Sequence, residues 1–258
     1  PDNQTQHTNL VATNDFENFT FLTRIRSWKG QQHGRIKHQK LSFSKEQFDK
    51  RSGEKNTILQ KLNSIEYGSS AAIYDTLYDT RQVVEEFYQQ FEELRTDLVK
   101  EVSGIPDDRG DAKQRYVQVI LDRMIFLYFI QEKRLLDRNP DYLHEQPGKV
   151  VDDGEDRYEK FYHPLFFDYL AEDKQNPEFG KLPYLNGGLF AENPVEEEFD
   201  DAKLGDTAEE TNELFDDILD FLSDWNWNVD ERLDIVDPKN LSPAVLGHIF
   251  EQTVNQKE

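Results

Sequence analysis

The chain has 258 residues, enough for one large or two modest domains whose core needs neither disulfide nor metal. It carries 30 Lys and Arg against 52 Asp and Glu, a formal net charge of −22, and no cysteine. A disulfide scaffold, Cys-ligated zinc and thiol catalysis are therefore excluded together, and spread evenly such a charge would repel nucleic acid.

Residues 1–15 read as a polar, flexible tail without a signal-peptide pattern, and Phe16, Phe19, Phe21 and Leu22 begin the first apolar stretch. Between Arg24 and Lys61 there are eleven Lys or Arg and three acids, a local charge of +8 that leaves −30 on the rest of the chain. Within this stretch Arg24, Arg26, Trp28, Lys29, Arg35, Lys37 and Lys40 are the candidate DNA-binding residues. Cations interleaved with an indole and with Gly30 and Gly34 suit a mobile loop that contacts phosphates and stacks a base. The same composition also suits a solvated arm carrying counter-charge for an acidic body. Ser44-Lys-Glu-Gln47 offers a capping-box start for a helix through Phe48, Ile58, Leu59, Leu62 and Ile65. Residues 16–66 thus read as a basic arm and a first helix, and residues 67–258 as a helical domain.

Tyr67-Gly-Ser-Ser70 reads as a turn, and from Thr80 the spacing of Val83, Val84, Phe87, Phe91, Leu94 and Leu98 predicts an amphipathic helix. A loop at Ser103–Gly110 leads to a second long helix over 111–136, apolar nearly all round between Ile120 and Ile130, and the two suggest a helical hairpin. A polar stretch precedes an aromatic helical patch at Tyr158–Leu170, and Pro and Gly make 172–193 irregular. Thr207–Ser223 is a further amphipathic helix; after the Trp225-Asn-Trp227 corner, Ser242-Pro243 starts a last helix toward Val254. With no strands at hairpin spacing, the expected fold is mainly α, a multi-helix bundle with long helices and irregular connecting segments. No run of about eighteen apolar residues occurs, so a cytoplasmic protein without a membrane partner is expected. A salt-rich host cytoplasm is one origin of the acidity and predicts loss of structure at low salt.

Fragments that imitate catalytic motifs fail on inspection. Asn139-Pro-Asp-Tyr142 resembles the Asn-Pro-Pro-Tyr loop that grips a flipped adenine, but its third residue is Asp and no glycine-rich cofactor strand precedes it. Asp141, Glu145 and Lys149 lack the Glu-x-Lys spacing of a metal-dependent nuclease. The six histidines show no paired spacing, and Leu185-Asn-Gly-Gly-Leu-Phe190 reads as a tight turn rather than a phosphate loop. No catalytic and no metal residue is assigned.

Three ordered blocks over about 140 residues resemble the large type IIG restriction-modification and BREX (PglX-type) adenine-N6 DNA methyltransferases. They are Val119-Ile-Leu-Asp-Arg-Met-Ile-Phe-Leu-Tyr-Phe-Ile-Gln-Glu-Lys133, then Pro183-Tyr-Leu-Asn-Gly-Gly-Leu-Phe190, then Leu246-Gly-His-Ile-Phe-Glu251 with Val254–Glu258. The resemblance implies a helical region leading into a methyltransferase domain, with Arg123, Asn186, Gly187, Gly188, Phe190, Gly247 and Glu251 as structural positions. It implies S-adenosylmethionine as the cofactor of the parent enzyme but none in this chain, which stops at Glu258, before the family's Gly-x-Tyr-Tyr-Thr-Pro segment. DNA and the parent's methyltransferase domain are the implied partners, in a restriction-modification or phage-defence setting, and whether the parent also cuts DNA stays open. The alternative is a stand-alone acidic module that docks on partner subunits or mimics DNA with its carboxylates.

Overall fold

Alternation of apolar and polar residues, rather than helical spacing, organises the N-terminal part of the chain. The computed structural model describes residues 7–26, 36–45, 62–65, 68–77, 81–172, 174–185, 188–227, 234–235 and 240–241. Its elements are mainly α, and they fall into two units, Pro1–Glu86 with Asn226–His248 and Phe87–Trp225 with Ile249–Glu258. The helices expected after Ser44 and after Ser242 lie largely or wholly outside the described residues.

In the first unit β1 (His7–Ala12), β2 (Asn18–Arg26) and β3 (Ile36–Ser44) form an antiparallel meander, and the short strand Asp234–Ile235 adds in parallel beside β3. Register pairs Phe19↔Phe43 and Phe21↔Leu41 gather the apolar residues on one face, because side chains alternate along a strand. The Phe43 ring stacks on Phe19 at 5.6 Å and tilts against Phe21 at 5.8 Å. Ile73, Tyr74 and Leu77 of α1 (Ser70–Leu77) pack on this face with Leu62 and Ile65. Thr23 is buried there, and its hydroxyl is 2.7 Å from that of Thr8. This sheet corrects two expectations, the flexible tail through residue 15 and the absence of strands.

The β1–β2 turn is closed by Thr13 N–H to Asn18 O at 2.9 Å and Phe16 N–H to Thr13 O at 2.9 Å. The Asp15 carboxylate accepts from the Thr13 hydroxyl and from Glu17 N–H, and these donors hold its pKa below the usual value. Phe16 sits at φ 57° with its ring 65% exposed, a left-handed position that disfavours a bulky L-residue and suits glycine.

In the second unit α2 (Arg81–Lys100) and α3 (Gly110–Glu132) are the two long helices, joined through β4 (Val102–Ser103). The core helix α3 buries Ile120, Leu121, Met124, Ile125, Leu127 and Ile130, as its nearly continuous apolar run foretold. It ends four residues before the expected 136 because Arg134 turns to φ 57°. Arg134 N–H then bonds Gln131 O at 2.7 Å and Leu135 N–H bonds Ile130 O at 2.9 Å, closing the last turn. Two short helices follow, α4 (Tyr142–Glu145) and α5 (Pro147–Val150). The aromatic patch forms two π-helical stretches, Tyr158–Tyr162 and Leu165–Leu170, and a 3-10 turn, Pro177–Phe179, lies in the irregular segment. Then come α6 (Pro194–Glu198), β5 (Lys203–Leu204), which pairs with β4, and α7 (Ala208–Ser223), capped by Thr207 and Glu210 in a capping box. Phe87 and Phe91 of α2 pack on Phe221 of α7, and Tyr162 stacks on Phe215 at 4.3 Å. Gly104 approaches the Asp201 backbone so closely that a Cβ would sit 2.2 Å from its carbonyl oxygen.

Arg123, fully buried on α3, ties this unit together. Its Nε donates to Leu189 O at 2.8 Å and Nη2 to Ala191 O at 2.9 Å. Its two terminal nitrogens bind Glu196 at 2.5 and 2.9 Å, and the guanidinium lies over Phe166 and Phe167. The same Glu196 closes the capping box of α6 by accepting from Asn193 N–H at 3.1 Å.

Two stability predictions result. Arg123→Ala leaves Glu196 buried and unpaired and should lower the unfolding free energy by about 3–5 kcal/mol, whereas Arg123→Met with Glu196→Leu should cost less, measured by urea unfolding. Phe16→Gly relieves the left-handed strain of an exposed side chain and should raise stability by about 1 kcal/mol in the same assay.

Candidate functional site

The three long strands of the first unit contain Arg24, Arg26, Lys37 and Lys40 and not one Asp or Glu. Against a net charge of −22, this is a local excess of cations along the strands. Pairs Leu22↔Lys40 and Arg24↔His38 place Arg24 and Lys40 diagonally on the face opposite Phe21 and Leu41. Arg24 is exposed and Lys40 half-buried. Arg26 and Lys37 stand in the same strands, in register with Ile36 and Ile25. Of the acids beside the sheet, Asp15 is held within the turn and Glu17 pairs with Lys45 at 3.4 Å, while Asp234 stands on the short strand next to β3. Trp28, Lys29 and Arg35 fall between β2 and β3, outside the described residues. A basic stretch expected as an arm is thus, at Arg24, Arg26, Lys37 and Lys40, part of a sheet.

Among the positions singled out by family resemblance, Arg123 and Phe190 come together. Arg123 holds the carbonyls on both sides of Phe190, whose ring packs on Phe126 at 5.8 Å and Phe166 at 5.9 Å. Gly188 precedes them, while Asn186, Gly187, Gly247 and Glu251 lie outside the described residues. Sequence reading missed Glu196, although Asn193-Pro-Val-Glu196 has the spacing of a helix-capping box.

The motif imitations prove structural. Tyr142 is buried with its hydroxyl donating to Phe179 O at 2.8 Å, so its ring is not free to stack a base. Asn139 caps a turn by accepting Asp141 N–H at 2.9 Å, and Glu145 pairs with Lys149 at 3.5 Å. Among the described residues no group of three or more acids and histidines is placed to hold a metal, and no helix is long and apolar enough to cross a membrane.

The second unit has a cleft of about 330 Å³ between the π-helical stretches and α6. Tyr116 and Tyr158 lie at its floor, where the Tyr116 hydroxyl donates to Ala202 O at 2.9 Å. Burial pushes the Tyr116 phenol well up and that of Tyr158 to about 12, with Glu196 adding to both.

No established family profile and no solved structure matches the chain. A protein of Methanocaldococcus jannaschii, provisionally named a type II restriction enzyme and methyltransferase, is 24% identical over 206 residues, taking in 67% of this chain and 17% of the relative. The similarity is distant, and the chain spans less than a fifth of the length of the protein it matches.

The cleft tyrosines predict an alkaline limb of stability. An unfolded Tyr158 ionises near 10.0 and the native one near about 12, so the native state holds more protons in between and stability falls as pH rises through that window. Urea midpoints across it should drop, and less so in Tyr158→Phe; an equal drop in both would clear Tyr158 of the effect.

Proposed function

We propose that this chain is a helical scaffold and DNA-contacting segment of a restriction-modification DNA methyltransferase. The observation that carries the reading is an antiparallel meander whose three strands bear four cations and no carboxylate in an otherwise acidic chain. The similarity to the archaeal restriction-modification protein supplies the setting. Exposed cations such as Arg24 neutralise phosphates, which positions a protein on DNA without reading its sequence.

In this reading the parent enzyme is an adenine-N6 methyltransferase of the type IIG or BREX kind, acting in phage defence. S-adenosylmethionine and the flipped adenine are handled by a methyltransferase domain outside these 258 residues. This part contributes position, with Arg123 and Glu196 keeping the helical unit rigid, and no bond-making group.

Binding to a duplex of arbitrary sequence should weaken steeply with salt. Replacing Arg24, Arg26, Lys37 and Lys40 with Ser should flatten the log–log salt slope by about 0.9 for each phosphate contact removed. Fluorescence anisotropy across a salt series reads this directly; an unchanged slope would remove the sheet from DNA contact.

A further inference from the structure

The cleft of the second unit is not used by the function proposed above. Its walls are rings, Tyr158, His163, Phe167 and Phe199, and its rim carries Glu192, Glu197 and Asp200. These three carboxylates are exposed, and their side chains have no hydrogen-bond or ionic partner among the described residues.

On a chain of net charge −22 carboxylates alone define nothing. Here, however, two rings of the cleft already carry guanidinium groups of the chain itself. Arg123 lies over Phe167 at 4.8 Å while Glu196, another cleft residue, binds it in a fork. Arg109 lies over Phe199 at 5.2 Å with Glu198 at 2.6 Å. The protein thus twice builds the same unit, a planar cation on a ring with a carboxylate beside it, from residues at this cleft. The space between the two units is lined by further rings and ends in unpaired carboxylates.

We propose that the cleft binds an arginine side chain presented by a protein partner, stacked on its aromatic walls and paired with Glu192, Glu197 and Asp200. A guanidinium is favoured over an ammonium because it is planar, weakly hydrated and able to meet a carboxylate through two parallel hydrogen bonds.

The test is a titration of the full chain with N-acetyl-arginine amide, followed by NMR on the His163 ring and the amides of residues 192–202, at fixed ionic strength. Saturable binding is expected, with the lysine amide at least threefold weaker and the neutral isostere citrulline amide not binding. Glu192→Gln, Glu197→Gln and Asp200→Asn together should weaken arginine binding at least tenfold. The charge-matched set Glu209→Gln, Glu213→Gln and Asp217→Asn on α7 should change it less than twofold. Equal losses in the two sets, shifts that do not saturate, or no preference over lysine would show only diffuse attraction to an acidic surface and overturn the proposal. The comparison of ligands on the unmodified chain decides the matter even where a variant fails to fold.

Discussion

A single buried ion pair constrains the second unit more than any other contact. Arg123 stands on the core helix, and Glu196 on the first turn of a five-residue helix far too short to persist alone. Glu196 also caps that helix, so one carboxylate serves both the cap and the guanidinium. Because Arg123 also binds Leu189 and Ala191 carbonyls, an irregular segment rich in glycine and proline is fixed to the core.

Charge is the second organising constraint. Most cations of the helical unit are spent on neighbouring acids, as in the pairs Arg157–Asp216, Lys113–Asp107 and Arg95–Glu92. Exposed pairs of this kind add little stability. The three antiparallel strands of the first unit are the opposite case, with four cations and no Asp or Glu of their own. Under the proposed function, segregation of this sort is what lets a strongly acidic chain approach DNA through one sheet.

The helical unit was largely legible in the sequence. The apolar run at 120–130, the spacing of Phe87, Phe91 and Leu98, and the Thr207–Glu210 cap each carry strong local signals, and each is found. The sheet was not legible, because Phe19 and Phe21 on one strand and Leu41 and Phe43 on the next give only two alternations apiece. The link of nine residues between β2 and β3 is also too long to carry a tight-turn signature. Glu196 and the cleft were hidden for another reason: Arg123 and Glu196 are 73 residues apart, and only the fold pairs them. The DNA-contact candidates were picked by composition, which finds charge but not the flat surface that presents it.

The account rests on the sheet being where DNA is met, and hydrogen–deuterium exchange of the full chain with and without a duplex tests this most directly. DNA should slow exchange in β2 and β3, at residues 18–26 and 36–44, and leave α3 and α7 unchanged. Protection confined to the helical unit, or none anywhere at a duplex concentration that saturates binding, would contradict it.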